Sequence, residues 1–335
     1  MEDQVIVSTP PCGRRRRCLI GAFVFASLAT AVNAQQPESV RRIGFLGMDS
    51  TLQAARLVAF RDGMRKLGYV EGVNLLIDVR WAEGQFDRLP ALASELVAQK
   101  PEVIVTAAPP PVRALQKATT TIPIVMSVHD PVGMGFAASL ARPGSNITGV
   151  AFQDSELSAK RLDLLRRVVP NLTRVAIMWN QAGGGRSSVE AVETAAAALK
   201  IATREFEIAG PAEIPAAVAA AKAWGAQGLV QLASPVITLH RKVLLEALAA
   251  NRMPATCELR IYVDEGCLMT YSADINAMFR DLASIAVRIL KGAKPAELAL
   301  EQPREFDFVI NLKTAETLGL AIPPVVQLQM TDRVR

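Results

Sequence analysis

From residue 41 onward, short apolar runs alternate with longer stretches whose apolar positions recur every three or four residues. Residues 42–47 form an apolar run. After the turn Met48-Asp49-Ser50-Thr51, the residues Leu52, Ala55, Ala59, Phe60, Gly63, Met64 and Leu67 fall on one face of a helix. Gly68 supplies the left-handed residue that ends it. Residues 75–79 predict a second strand. Asp87 is placed to cap a helix carrying Leu89, Leu92, Leu96 and Val97, which Lys100-Pro101 stops. Residues 103–106, 123–128 and 147–150 predict three more strands. Strands separated by helices at this spacing predict a parallel, doubly wound sheet.

The pattern then restarts. A helix over 157–169 leads to a strand at 174–180, a Gly-rich loop at 181–188 and an Ala-rich helix. Strands follow at 205–208, 229–233, 254–257 and 268–271, with a helix holding Val218 and Trp224 before the second of these. Residues 275–291 form a strongly amphipathic helix, broken at 291–295. A last strand at 306–310 and a short helix to Leu320 close the chain. The fold class expected is α/β, with two doubly wound parallel-sheet lobes in tandem and a ligand cleft between them. What repeats is the order of elements rather than the residues.

The first 34 residues fit neither half. Arg14 to Arg17 precede an apolar run from Cys18 to Val32, and Val32-Asn33-Ala34 is a small-x-small sequence. These are the parts of a secretory signal, and the paired arginines also suit twin-arginine export. The run is shorter than the roughly 20 residues of a spanning helix, which leaves an uncleaved anchor as the weaker reading. Removing residues 1–34 lowers the formal net charge from +5 to +3. With no Lys/Arg block after residue 17, the charge gives no reason to expect a nucleic acid or an anionic membrane as partner. Export places the chain in an oxidising periplasm, where Cys257 and Cys267 form either a short-loop disulfide or two buried free thiols. The sequence supplies no geometry to choose between these.

The sequence is poor in catalytic signatures. It has two histidines: His129 at a strand end beside Asp130, and His240 beside Arg241 and Lys242 on a solvated helical stretch. No Gly-x-Ser-x-Gly elbow is present. Gly183-Gly184-Gly185-Arg186-Ser187-Ser188 lacks the lysine of a phosphate loop, and no Cys/His set suits a metal. No cofactor and no metal are expected. Ligands of open α/β sheets sit at the carboxyl ends of the strands, and here those ends are small and polar. The candidate ligand-binding residues are Asp49, Ser50, Thr51, Thr106, Ala107, His129, Asp130, Gln153, Asn180, Ser234, Glu258 and Tyr271. Several open a helix, where free N–H groups face the cleft and suit a carboxylate. Taken singly, each is also an ordinary cap or turn residue. Arg80, Arg186 and Arg260 are candidate carboxylate partners, and nothing in the sequence chooses among them.

The chain resembles a known family, the periplasmic substrate-binding proteins of ABC importers. The likeness is to the tryptophan/tyrosine-type group of the type I periplasmic-binding fold. The most specific run is Ser139-Leu140-Ala141-Arg142-Pro143-Gly144-Ser145-Asn146-Ile147-Thr148-Gly149-Val150, supported by residues 63–74, 80–90, 119–125, 130–133, 289–295 and 308–315. The resemblance implies two lobes joined by several hinge crossings, with a small ligand closed between them. It assigns 41–152 plus 275–303 to the first lobe and 153–274 plus 304–335 to the second. It further implies a monomeric receptor that delivers an amino-acid-like or aromatic carboxylate ligand to ABC permease subunits. An exported sensing module for a membrane receptor and an exported α/β enzyme are the rival readings. The chain departs from the family's usual pattern at Cys257 and Cys267 and at Gly183-Gly184-Gly185, all near the expected cleft.

Overall fold

The computed structural model describes residues 40–152, 154–181 and 185–334. The expected export signal, Gln153, Gly183 and Gly184 lie outside the described residues. Among the described residues two sheets are present. The first contains β1 (Arg41–Gly47), β2 (Leu75–Trp81), β3 (Val103–Ala107), β4 (Ile124–His129) and β5 (Ile147–Phe152) in the order β2-β1-β3-β4-β5, all parallel. The second contains β6 (Arg174–Trp179), β7 (Ala202–Glu207), β8 (Gly228–Gln231), β9 (Ala255–Cys257), β10 (Met269–Ala273), β11 (Phe306–Asn311) and β12 (Asp332–Val334). Its order is β12-β11-β10-β9-β8-β6-β7. Every pair in it is parallel except β10 with β11, which run antiparallel with Tyr271 opposite Phe308.

The interior strands are apolar on both faces because helices cover both faces. Helices α1 (Ser50–Lys66), α2 (Leu89–Ala98) and α3 (Pro109–Ala118) belong to the first sheet. Helices α4 (Asp154–Val168), α5 (Arg186–Ala198), α6 (Ile214–Ala223), α7 (Pro235–Leu239), α8 (Arg241–Ala250) and α9 (Arg260–Asp264) surround the second. The long helix α10 (Ile275–Leu290) returns to the first sheet. Its Met278, Phe279, Leu282, Ile285 and Ala286 share a core with Phe45, Phe60 and Met64. Gly63 permits that approach, since a Cβ there would stand 2.8 Å from the Ala283 Cβ. The opposite face of the first sheet is covered by Leu92, Leu96, Val112 and Leu115. The chain thus passes between the two α/β lobes three times: from β5 to α4, from β10 to α10, and from the segment after α10 to β11. That last segment lies along β5, where the Glu301 amide donates to the Gly149 carbonyl and its carbonyl accepts from Ala151.

Two local expectations need correction. Asp87 does not cap α2; it sits inside a 3-10 turn, Phe86–Arg88, that leads directly into the helix. Pro90 at the helix start already fixes the backbone there. The second correction is α3, which no apolar periodicity announced. It opens on Pro109, Pro110 and Pro111, whose missing amides are ones that a first helical turn leaves unpaired in any case.

Candidate functional site

Where the lobes face each other, a cavity is lined from the first lobe by Met48, Arg56, Ala107, Ala108, Pro109, Ser127, Val128, His129 and Phe152, and from α10 by Ile275, Met278 and Phe279. The second lobe contributes Ala233, Ser234, Pro235, Thr238, Glu258 and Leu259. These are carboxyl ends of strands and the turns after them, as an open α/β sheet dictates. Of the candidate residues, Ala107, His129, Ser234 and Glu258 meet in this cavity. His129 and Phe152 also line a second pocket on their far side, with Asp130, Asp154 and Ser188.

The other candidates stand elsewhere or serve the scaffold. Asp49 caps α1 by accepting from the Thr51 and Leu52 amides, and Thr51 Oγ1 donates back to it. Burial raises the Asp49 carboxyl, but these hydrogen bonds outweigh it and hold the group below its ordinary value. Ser50 Oγ donates to Glu83 at 3.0 Å. Thr106 is buried and donates to the Leu46 carbonyl at 2.7 Å. Asn180 is buried and donates to the Ile208 carbonyl. Asp130, at φ 40°, accepts from the Gly133 amide. Tyr271 stacks on Phe306, with centroids 5.9 Å apart, beside the last crossing between the lobes. The three candidate arginines are occupied by Glu95 (Arg80), Glu205 (Arg186) and Asp332 (Arg260), and none lines the cavity.

Behind Glu258 lies a buried polar network. Asp154, the first residue of α4, pairs with Arg161 at 3.0 Å and accepts from Ser188 Oγ at 2.8 Å. Arg161 also donates to the Tyr271 carbonyl at 2.9 Å and to Ser158 Oγ at 3.1 Å. Burial pushes the Asp154 carboxyl up. The opposing charges of Arg161 and His129 and the hydrogen bonds from Ser188 and Arg161 outweigh burial, so it stays ionised below the usual range. Glu258 has the opposite fate. Burial first, and then the Asp154 charge, push it up to about 7 against the pull of Arg161, the Ser234 backbone and Arg56. Cys257, the residue before it, is joined to Cys267 in a disulfide.

Sequence reasoning missed Arg56, Ser127, Thr238 and the apolar walls Met278 and Phe279. In the sequence, Arg56 is one more arginine on an amphipathic helix, and Met278 and Phe279 read as core, which in part they are. Among the described residues no His/Cys/Asp/Glu cluster suits a metal, and no helix is long and apolar enough to cross a membrane.

Comparison with known proteins agrees with this fold. A tyrosine-binding protein of Clostridioides difficile (strain R20291) is 23% identical over 264 residues, covering 78% of this chain and 75% of the relative. A Streptococcus pneumonia ABC domain in complex with L-Trp superposes with TM-score 0.83 at 23% identity, covering 88% of this chain and all of that one. A conserved domain protein of Vibrio cholerae superposes with TM-score 0.82 at 26% identity and the same coverage. The sequence profile of the ABC transporter substrate binding proteins matches residues 44–334. A match over that span, on a two-lobed fold with its cavity between the lobes, makes this chain a member of the ABC transporter substrate binding protein family.

Proposed function

We propose that this chain is the solute receptor of an ABC importer. It is exported through its N-terminal segment to the periplasm, where it captures a small organic ligand, amino-acid-like or an aromatic carboxylate, between its lobes. The observation that carries this reading is the cavity whose walls come from both lobes, with Arg56 on one side and Glu258 on the other. A ligand touching both walls favours their closed arrangement by its differential affinity for it. The lobes divide at 41–152 plus 275–303 and 153–274 plus 304–335, so that closure turns on the three crossings. The closed monomer then meets its permease subunits and releases the ligand unaltered.

The test is to purify the mature chain from its own periplasm and identify what it releases. Native mass spectrometry is expected to find one stoichiometric small molecule, recovered unchanged. Small-angle scattering is expected to show a smaller radius of gyration when that molecule is added back to stripped protein. A chemically altered product, or no change of shape on saturation, rejects the receptor reading. The relatives' names support the amino-acid side of the ligand class: one is called tyrosine-binding and another holds L-Trp.

A further inference from the structure

The lobes also touch outside the cavity, at the side of the cleft remote from the first crossing. The loop after β2, residues 82–85, folds back over the end of β1. There the Ala82 amide donates to the Gly47 carbonyl at 3.0 Å and the Gly84 amide to the Met48 carbonyl at 2.9 Å. Glu83 and Gly84 both take left-handed backbone, at φ 51° and 75°, and Ser50 Oγ donates to the Glu83 carboxylate at 3.0 Å. The loop is thus a fixed shape and not slack chain. It follows β2, one edge of the first sheet, whereas β5 at the other edge carries the first crossing and the segment that leads into the third.

From the second lobe, Leu239 at the end of α7 meets this loop. A Cβ on Gly84 would stand 4.0 Å from each Leu239 Cδ atom, an ordinary contact distance. Leu239 is half-buried yet belongs to none of the four packed cores, so the first lobe supplies part of its cover against water. Two residues on, Arg241 donates from Nε and Nη2 to Glu265 Oε1, at 3.0 and 2.6 Å, which fixes where its charge stands. That charge acts on Asp49, the cap of α1 in the first lobe. Burial raises the Asp49 carboxyl, and Arg241 joins the Thr51 and Leu52 hydrogen bonds in lowering it. No direct ion pair joins Asp49 and Arg241, and neither they nor Gly84 and Leu239 line the cavity.

We propose that Leu239 and Arg241 are a latch: they hold the second lobe against the 82–85 loop and Asp49 of the first lobe, and so set how long the lobes stay together, whatever molecule lies between them. The inference rests on the closure reading above and adds to it residues that touch no ligand. Parting the lobes exposes Leu239 to water and draws two opposite charges apart. In a hinged pair of lobes the contact remote from the hinge travels furthest for a given rotation, so it is lost early in opening. Exposing half a leucine side chain changes the open-to-closed ratio by about fivefold. A charge pair at a partly wet rim changes it by about two- to threefold, and salt weakens that part.

The experiment measures the distance between the lobes by double electron–electron resonance. Spin labels are attached at Ala98→Cys in the first lobe and Lys242→Cys in the second, both exposed positions. Cys257 and Cys267 are joined to each other and take no label. The mature chain is measured as isolated from its own periplasm and again after unfolding and refolding have stripped it. Leu239→Ser, Arg241→Gln and Asp49→Asn are compared with wild type in both preparations, with circular dichroism to verify folding. Asparagine keeps the side-chain oxygen that caps α1. The open-to-closed ratio is expected to rise about fivefold in Leu239→Ser. It is expected to rise about two- to threefold in each charge variant. The double variant Asp49→Asn/Arg241→Gln should open no further than Arg241→Gln alone; opening by the product of the single effects overturns the part given to the charges. Should Arg241→Gln fold poorly for want of its Glu265 pair, Asp49→Asn tests the same attraction from the other lobe. Wild-type distances in every variant and both preparations overturn the latch. If stripping changes the wild-type distances while the variants follow wild type throughout, the latch fails and the receptor reading stands. If the variants open while stripping leaves the wild-type distances unchanged, the latch stands and ligand-driven closure fails.

Discussion

Arg161 Nη1 lies 3.0 Å from Asp154 Oδ1, two helical turns away on α4, and both side chains are 1% exposed. The arginine also reaches the carbonyls of Glu258 and Tyr271. One cation therefore ties the start of α4 to the residue after β9 and to the middle of β10, behind the cavity wall. Removing one partner leaves the other charge buried and alone. Arg161→Met is expected to cost about 3–5 kcal/mol of folding stability, measured by urea unfolding. The double variant Asp154→Ala/Arg161→Met should lose less than Arg161→Met alone. A single-variant loss within the range of ordinary surface changes would refute this account of the pair.

Asp154 and Glu258 give stability opposite dependences on pH, in separate windows. Asp154 is held below its ordinary value. Its contribution is therefore present above the usual aspartate range and is lost as pH falls through the lowered value. Glu258 is raised to about 7, so between the ordinary glutamate range and that pH the folded chain binds the extra proton. Stability should fall as pH rises through that window, by roughly 3 kcal/mol at most, and level off above it. Urea midpoints from pH 4.5 to 8 check the slope, and Glu258→Gln should remove it. An unchanged slope in that variant would assign it to another group.

Gly149 stands at φ 145° opposite Met126 in the β4–β5 pair. A Cβ there would lie 1.9 Å from the Met126 carbonyl oxygen, which is backbone and has nowhere to move. Gly149→Ala is expected to cost roughly 3 kcal/mol or more, or to abolish soluble expression. A thermal midpoint within a few degrees of wild type contradicts this reading.

The disulfide joins residues separated by 10 positions. Closing so short a loop restricts the unfolded chain by about 2–3 kcal/mol. Cys257→Ala/Cys267→Ala should lower the urea midpoint accordingly in exported protein. Because Cys257 directly precedes Glu258, which lines the cavity, the ligand affinity of this variant should fall as well. Equal affinity and equal stability would mean that the β9–β10 pairing alone holds Glu258 in place.

Much of the scaffold was legible in the residue pattern. Buried strands such as β3 and β4 announce themselves as unbroken apolar runs, and α10 by its periodicity. Asp49 and Gly68 mark the ends of α1 as local chemistry requires. The antiparallel setting of β11 was not legible, because strand direction depends on how the chain returns from α10, not on the residues of the strand. The start of α3 was hidden because three prolines argue against a helix everywhere except at its first turn.

The sequence by itself determined where strands and helices form, that they alternate, and which small polar residues stand at the strand ends, because each of these depends on neighbours within a turn or two. Only the tertiary structure decided which of those ends meet. Ala107, His129, Ser234 and Glu258 converge on one cavity, while Thr106 and Asn180 turn inward to satisfy backbone carbonyls. Arg56 and Glu258 face each other from separate lobes across most of the chain's length. That meeting arises only from three-dimensional proximity, which no local pattern encodes.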